Sequence, residues 1–153
     1  MKQTLTSLAG DREFPSASHF QELAGRTQDE RLRLLHKEQL PWVKTELTIA
    51  ALEGRSWISL LKYDEGEVFS TISFSEDFEL FISDLAMETR DDMEERAVDA
   101  TDLEGELGTI PEAERELLLA FFAAGYTLSV NREPSASQRK GSLAYSLNLA
   151  FSR

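Results

Sequence analysis

Read for its apolar and polar positions, the chain uses one phrase twice. An apolar, helix-like run ends in small residues and a glycine, then passes at once into a β-rich run. The first copy runs from Thr48 to Gly54 and on through Arg55 to Leu61; the second runs from Leu119 to Gly125 and on through Tyr126 to Val130. Glycine just past a helix most easily takes the left-handed conformation that stops it. Both copies therefore predict helix, stop, strand.

The pattern on either side extends each copy. Residues 1–18 have mixed polarity and read as an N-terminal arm, with Phe14 and nearby Phe20 as its anchors; residues 19–153 read as one domain. Thr27-Gln28-Asp29-Glu30 has the spacing of a capping box, hydroxyl first and glutamate three later. It predicts a helix to about Gln39, with Leu32, Leu35 and Leu40 on its apolar side. Pro41 should break or restart that helix, and a second should run from Trp42 to Glu53 with Val43, Leu47, Ala50 and Ala51 on one face. Ser56 to Tyr63 reads as a strand, Asp64-Glu65-Gly66 as a turn and Glu67 to Phe74 as the return strand. Ser75 is placed to cap a helix whose first turn holds Glu76 and Asp77 and whose stripe is Phe78, Phe81, Ile82 and Leu85.

Thr109-Ile110-Pro111-Glu112 repeats the capping-box pattern and predicts a helix to Ala124, with Leu117, Leu118, Phe121 and Phe122 as its apolar face. After Gly125, Tyr126, Leu128 and Val130 alternate with polar residues. Leu143, Tyr145, Leu147, Leu149 and Phe151 then alternate with Ala144, Ser146, Asn148 and Ala150. A period of two means that one face packs while the other is wet or lightly covered. The connection from Arg132 to Gly141 is long for a hairpin and carries Arg139-Lys140. The fold class this order predicts is α+β: a four-stranded, mostly antiparallel sheet built from two helix-plus-β-hairpin units, with the helices packed on one face. The pairing between the two hairpins stays open.

One segment departs from the pattern. Residues 88–106 hold nine acidic residues against Arg90 and Arg96. A thin stripe of Met93, Ala97 and Ala100 could carry the preceding helix onward, or the segment could be a mobile acidic loop. A calcium-binding loop does not fit: with Gly105 at position six, Ala100 falls at position one and Pro111 at twelve.

Composition narrows the function more than it defines it. The chain has 153 residues, a net charge of −12 and no cysteine. That removes a disulfide framework, a thiolate metal site and a cysteine nucleophile. No apolar run approaches the ~20 residues of a membrane span, and residues 1–8 are too polar for a secretory signal. The charge repels nucleic acid and anionic membrane and suits a protein partner. His19 and His36 lie in polar surroundings without a catalytic neighbour at recognised spacing and read as surface residues. No phosphate-binding glycine loop or nucleophile elbow is present. Trp42 and Trp57 read as core, or else as interface anchors. No catalytic, cofactor-binding or metal-ligating residue is therefore assigned.

The runs Ile49 to Gly54 with Trp57 to Leu60, and Phe122 to Val130 with its closing alternating strand, resemble a pattern in small structural virion proteins of tailed bacteriophages. The resemblance covers residues 45–61 and 114–151. It implies a head, neck or tail component located in the virion; a host-encoded chain would be cytoplasmic. The function expected is a non-enzymatic assembly protein that contacts itself and other subunits, without direct nucleic-acid or membrane binding. The alternative is an acidic decoy for a basic nucleic-acid-handling protein. The candidate interaction residues are Phe14, Asp91, Asp92, Glu94, Glu95, Arg139 and Lys140.

Overall fold

A computed structural model describes residues 14–64, 67–88, 95–104, 110–133 and 144–151. Five helices lie in these segments: α1 (Ala17–Ala24), α2 (Gln28–Leu52), α3 (Glu76–Met87), α4 (Ala100–Glu104) and α5 (Glu112–Ala123). Five strands accompany them: β1 (Trp57–Asp64), β2 (Glu67–Ser70), β3 (Glu95–Val98), β4 (Thr127–Glu133) and β5 (Ala144–Ala150). They form one open antiparallel sheet in the order β2-β1-β5-β4-β3.

The α+β class and both β-hairpins match the expectation, but the sheet has a fifth strand. It comes from the acidic insert, which in its described part is neither a continuing helix nor a loop. Glu95 to Val98 pairs antiparallel with Asn131 to Leu128, and the short helix α4 follows. The two hairpins join through β1 and β5, with Trp57 opposite Ala150 and Asp64 opposite Ala144. One residue more on β1 is absorbed by a bulge between Ser59 and Leu61. Consecutive leucines, Leu60 and Leu61, are both buried there. The return strand β2 stops at Ser70 rather than Phe74, because residues 73–75 are held by side chains of two helices, as described below.

The repeated phrase is repeated in atomic detail. Gly54 and Gly125 have φ of 81° and 96°. In the first copy Arg55 N–H donates to Ala50 C=O at 2.8 Å and Gly54 N–H to Ala51 C=O at 3.1 Å. In the second Tyr126 N–H donates to Phe121 C=O and Gly125 N–H to Phe122 C=O, both at 3.0 Å. Each is a Schellman motif, which satisfies the last carbonyls of the helix and turns the chain into its strand.

Pro41 does not break the chain into two helices; α2 runs through it. Proline in a helix interior removes one hydrogen bond and costs about 3 kcal/mol. Here both halves are anchored independently, by buried Leu32 and His36 before the proline and by Val43 and Ala50 after it. Docking on both sides outweighs the local penalty. The Thr27 cap of α2 forms as expected, accepting from Glu30 N–H. That of α5 does not: Pro111 is the N-cap residue and makes no side-chain cap bond, and Thr109 lies outside the described residues. Asp29 of α2 instead accepts from Ala113 N–H at 3.3 Å.

The core lies between helices and sheet. Val43 and Ala50 of α2, the Phe78, Phe81, Ile82 and Leu85 stripe of α3, and Leu117, Leu118 and Phe121 of α5 meet Ile58, Leu61, Leu128, Val130, Leu147 and Leu149. The opposite side of the sheet carries Ser59, Lys62, Ser129, Asn131, Ser146 and Asn148. It is less wet than period-two alternation implied. Ser146 is 1% exposed and Asn148 6%, and Ser59 Oγ donates to Asn148 Oδ1 at 2.8 Å. As the central strand, β5 has a neighbour on each side, which shields short side chains on both faces.

Candidate interaction surfaces

Two buried ionisable side chains, His36 and Glu114, are bonded to the segment 73–75. His36 is buried, not at the surface as its polar surroundings suggested, and its Nε2 lies 3.0 Å from the Ser73 carbonyl oxygen. Burial lowers its pKa, against a smaller opposing effect of the Ser73 contact. Gln39, one turn on, accepts from Ser73 N–H at 2.7 Å and donates to Ser73 Oγ at 2.9 Å. Glu114 of α5 is fully buried; it accepts from Ser75 N–H at 3.0 Å and from the Ser75 hydroxyl. Loss of hydration raises its carboxyl to about 7, with Ser75 opposing and Asp77 and Glu79 adding repulsion. The sequence reading missed His36 and Glu114. Neither spacing nor composition marks a residue whose burial is imposed by a distant segment.

The first exposed apolar surface is a hollow of about 740 Å³ between α1 and α2, lined by Phe20, Leu23, Ala24, Leu34 and Leu35 with His19, Arg31 and Glu38 at its polar margin. The sequence reading did not include α1. None of its residues is buried, and Arg31 fastens its end by donating to the Ala24 and Arg26 carbonyls at 3.1 Å each. Phe14 is 46% exposed and packs edge-on against Phe20, with ring centroids 6.4 Å apart.

The second surface is the β2 edge. Trp57 is 45% exposed and Phe69 63%, and both line a shallow hollow with Lys62 and Arg55; Val68, 38% exposed, lies on the opposite face of β2. Trp42, on the outer side of α2, is 60% exposed. The core reading of both tryptophans is thus corrected: Trp57 alternates with buried Ile58 and so lies on the other face of β1, and Trp42 lies off the buried stripe of α2 that includes Val43.

The opposite sheet edge is polar. Glu95 is exposed on β3, opposite Asn131. Its neighbour Arg96 reaches Glu88 and holds Asp102 through two bonds of 2.9 and 3.1 Å. This pairing keeps the Asp102 carboxyl below the usual range, against the effect of its partial burial. The remaining candidates, Asp91, Asp92, Glu94, Arg139 and Lys140, lie outside the described residues. The structure therefore places Phe14 and Glu95 on separate surfaces and does not bring the two together.

Among the described residues no group of three or more histidine or acidic side chains could hold a metal ion. No described helix is long and apolar enough to cross a membrane. Compared with known proteins, the chain matches no family model, no curated sequence and no solved structure.

Proposed function

We propose that this protein is a non-enzymatic assembly subunit that works through contacts with itself and with other subunits, in keeping with the resemblance to phage head, neck or tail proteins. The observation that carries this reading is the position of the large exposed side chains. Phe20 with Leu35, flanked by Phe14, and Trp57 with Phe69 gather at two surfaces. Grouped exposed aromatics mark surfaces that another molecule covers. Sedimentation across concentration, together with co-purification with particles, tests the reading. A protein that stays monomeric and is absent from particles contradicts it.

One observation favours a second reading, an acidic decoy for a basic partner. The outer face of α3 exposes Leu80 and Met87, two turns apart, among Glu76, Asp77, Asp84 and Glu88. An apolar stripe edged by carboxylates suits a basic amphipathic segment. Binding of this kind weakens steeply with salt, because screening shortens to ~3 Å at 1 M.

A further inference from the structure

The two edges of the sheet are treated differently. At β3, Arg96 is clamped between Glu88 and Asp102, and Glu95 stands beside it. Charged residues of this kind keep other strands from adding to an edge. At β2 all four residues are exposed, Glu67 is the single charge, and Val68 and Phe69 are the apolar pair at its centre. No described strand pairs with the outer side of β2.

The backbone directions follow from the register. Thr71 N–H donates to Leu60 C=O at 3.0 Å, and Lys62 lies opposite Phe69. In an antiparallel ladder the bonding direction alternates. The N–H and C=O groups of Glu67, Phe69 and Thr71 therefore face β1, while those of Val68 and Ser70 face outward.

We infer that β2 pairs with β2 of a second copy of this chain, antiparallel about a two-fold axis at Phe69, making one continuous sheet across the dimer. A two-fold axis normal to the sheet pairs residues of the same face. Centred on Phe69, it sets Val68 opposite Ser70 of the second copy, so that the outward groups of each bond those of the other. The two Phe69 residues then form a non-hydrogen-bonded pair, with Cα atoms about 4.5 Å apart and rings in contact. Glu67 faces Thr71 of the second copy, so the register sets no like charges opposite one another, even in a chain of charge −12. The inference rests on the assembly reading and gives it a surface.

Two kinds of variant test it. Ser70→Pro removes an outward N–H and leaves the β1 ladder intact, which proline tolerates on an edge strand. Val68→Lys places a charge on the edge as natural guarded edges do. Both should keep the wild-type circular dichroism and unfolding midpoint. Each should weaken dimerisation, measured by sedimentation equilibrium, by about tenfold or more. Because the chain lacks cysteine, Phe69→Cys supplies a lone thiol. Under mild oxidation it should yield a covalent dimer, whereas Val68→Cys should not, its diagonal separation of about 7–8 Å being too long for a disulfide. Self-association that persists in Ser70→Pro and Val68→Lys, without cross-linking at position 69, overturns the β2 interface and leaves the assembly reading standing. A wild-type chain that is monomeric at about 1 mM also overturns the interface; co-purification with other subunits then decides the assembly reading separately.

Discussion

The Ser75 hydroxyl accepts from Phe78 N–H at 3.1 Å and donates to the Glu114 carboxylate. The cap of α3 is thus tied to a fully buried acid on α5. One serine closes a helix terminus and satisfies a carboxyl that would otherwise lie unpaired in the core.

This pair makes stability depend on pH. Burial raises the Glu114 carboxyl from 4.5 to about 7. Between those values the folded state keeps a proton that the unfolded chain has released. The contribution to stability is complete below about pH 4.5 and is lost as pH rises to about 7, by roughly 3 kcal/mol at most. His36 acts in the opposite sense, since its lowered pKa weakens the fold as pH falls below its unfolded value of 6.5. In Glu114→Gln, the amide oxygen can accept from Ser75 N–H and the amide nitrogen can donate to its hydroxyl. Urea unfolding at pH 5 and pH 8 should show a smaller fall in stability for Glu114→Gln than for wild type. An unchanged difference would refute the assignment.

Gly54 and Gly125 hold the same left-handed turn, and a Cβ added to either meets nothing within 4 Å. Only backbone strain opposes a side chain there. Gly54→Ala and Gly125→Ala should each lower stability by about 1–2 kcal/mol, and by similar amounts. Chemical denaturation checks both the size and the equality.

Pro41 lies where a helical N–H is missing. Pro41→Ala restores that donor and should stabilise the fold by about 1–2 kcal/mol after allowance for the freer unfolded chain. A lower thermal midpoint would show that the proline shapes α2 in a way that docking requires.

Local signals carried much of this fold. The Thr27 and Ser75 caps, the stop glycines and the α3 stripe act within a few residues, and each formed as the pattern implied. Tertiary effects were not legible. The continuity of α2 depends on buried anchors on both sides of Pro41, among them His36, which with Gln39 reaches Ser73, far away in sequence. Strand β3 is four residues long and charged, and becomes a strand only because β4 offers it an edge. The exposure of Trp42 and Trp57 was hidden because size and apolarity say only that a residue can be buried. The candidate surfaces were legible at Phe14 and Phe20 and, as the alternative to a core position, at Trp57; the β2 edge required knowledge of strand order.

Exposed residues at the α1–α2 hollow should matter to association more than to folding. Phe14→Ser and Phe20→Ser should each shift stability by less than about 0.5 kcal/mol, as surface substitutions do. Their effect should appear as weaker co-purification with partner subunits. A large loss of stability would place both rings in the fold itself.

The central claim is that this chain assembles. Sedimentation equilibrium of the unmodified protein over rising concentration tests it most directly. The account predicts reversible, concentration-dependent growth in mass beyond that of the 17.3 kDa monomer. A single monomeric mass at every concentration, from a protein that also fails to co-purify with particles or other subunits, would contradict it.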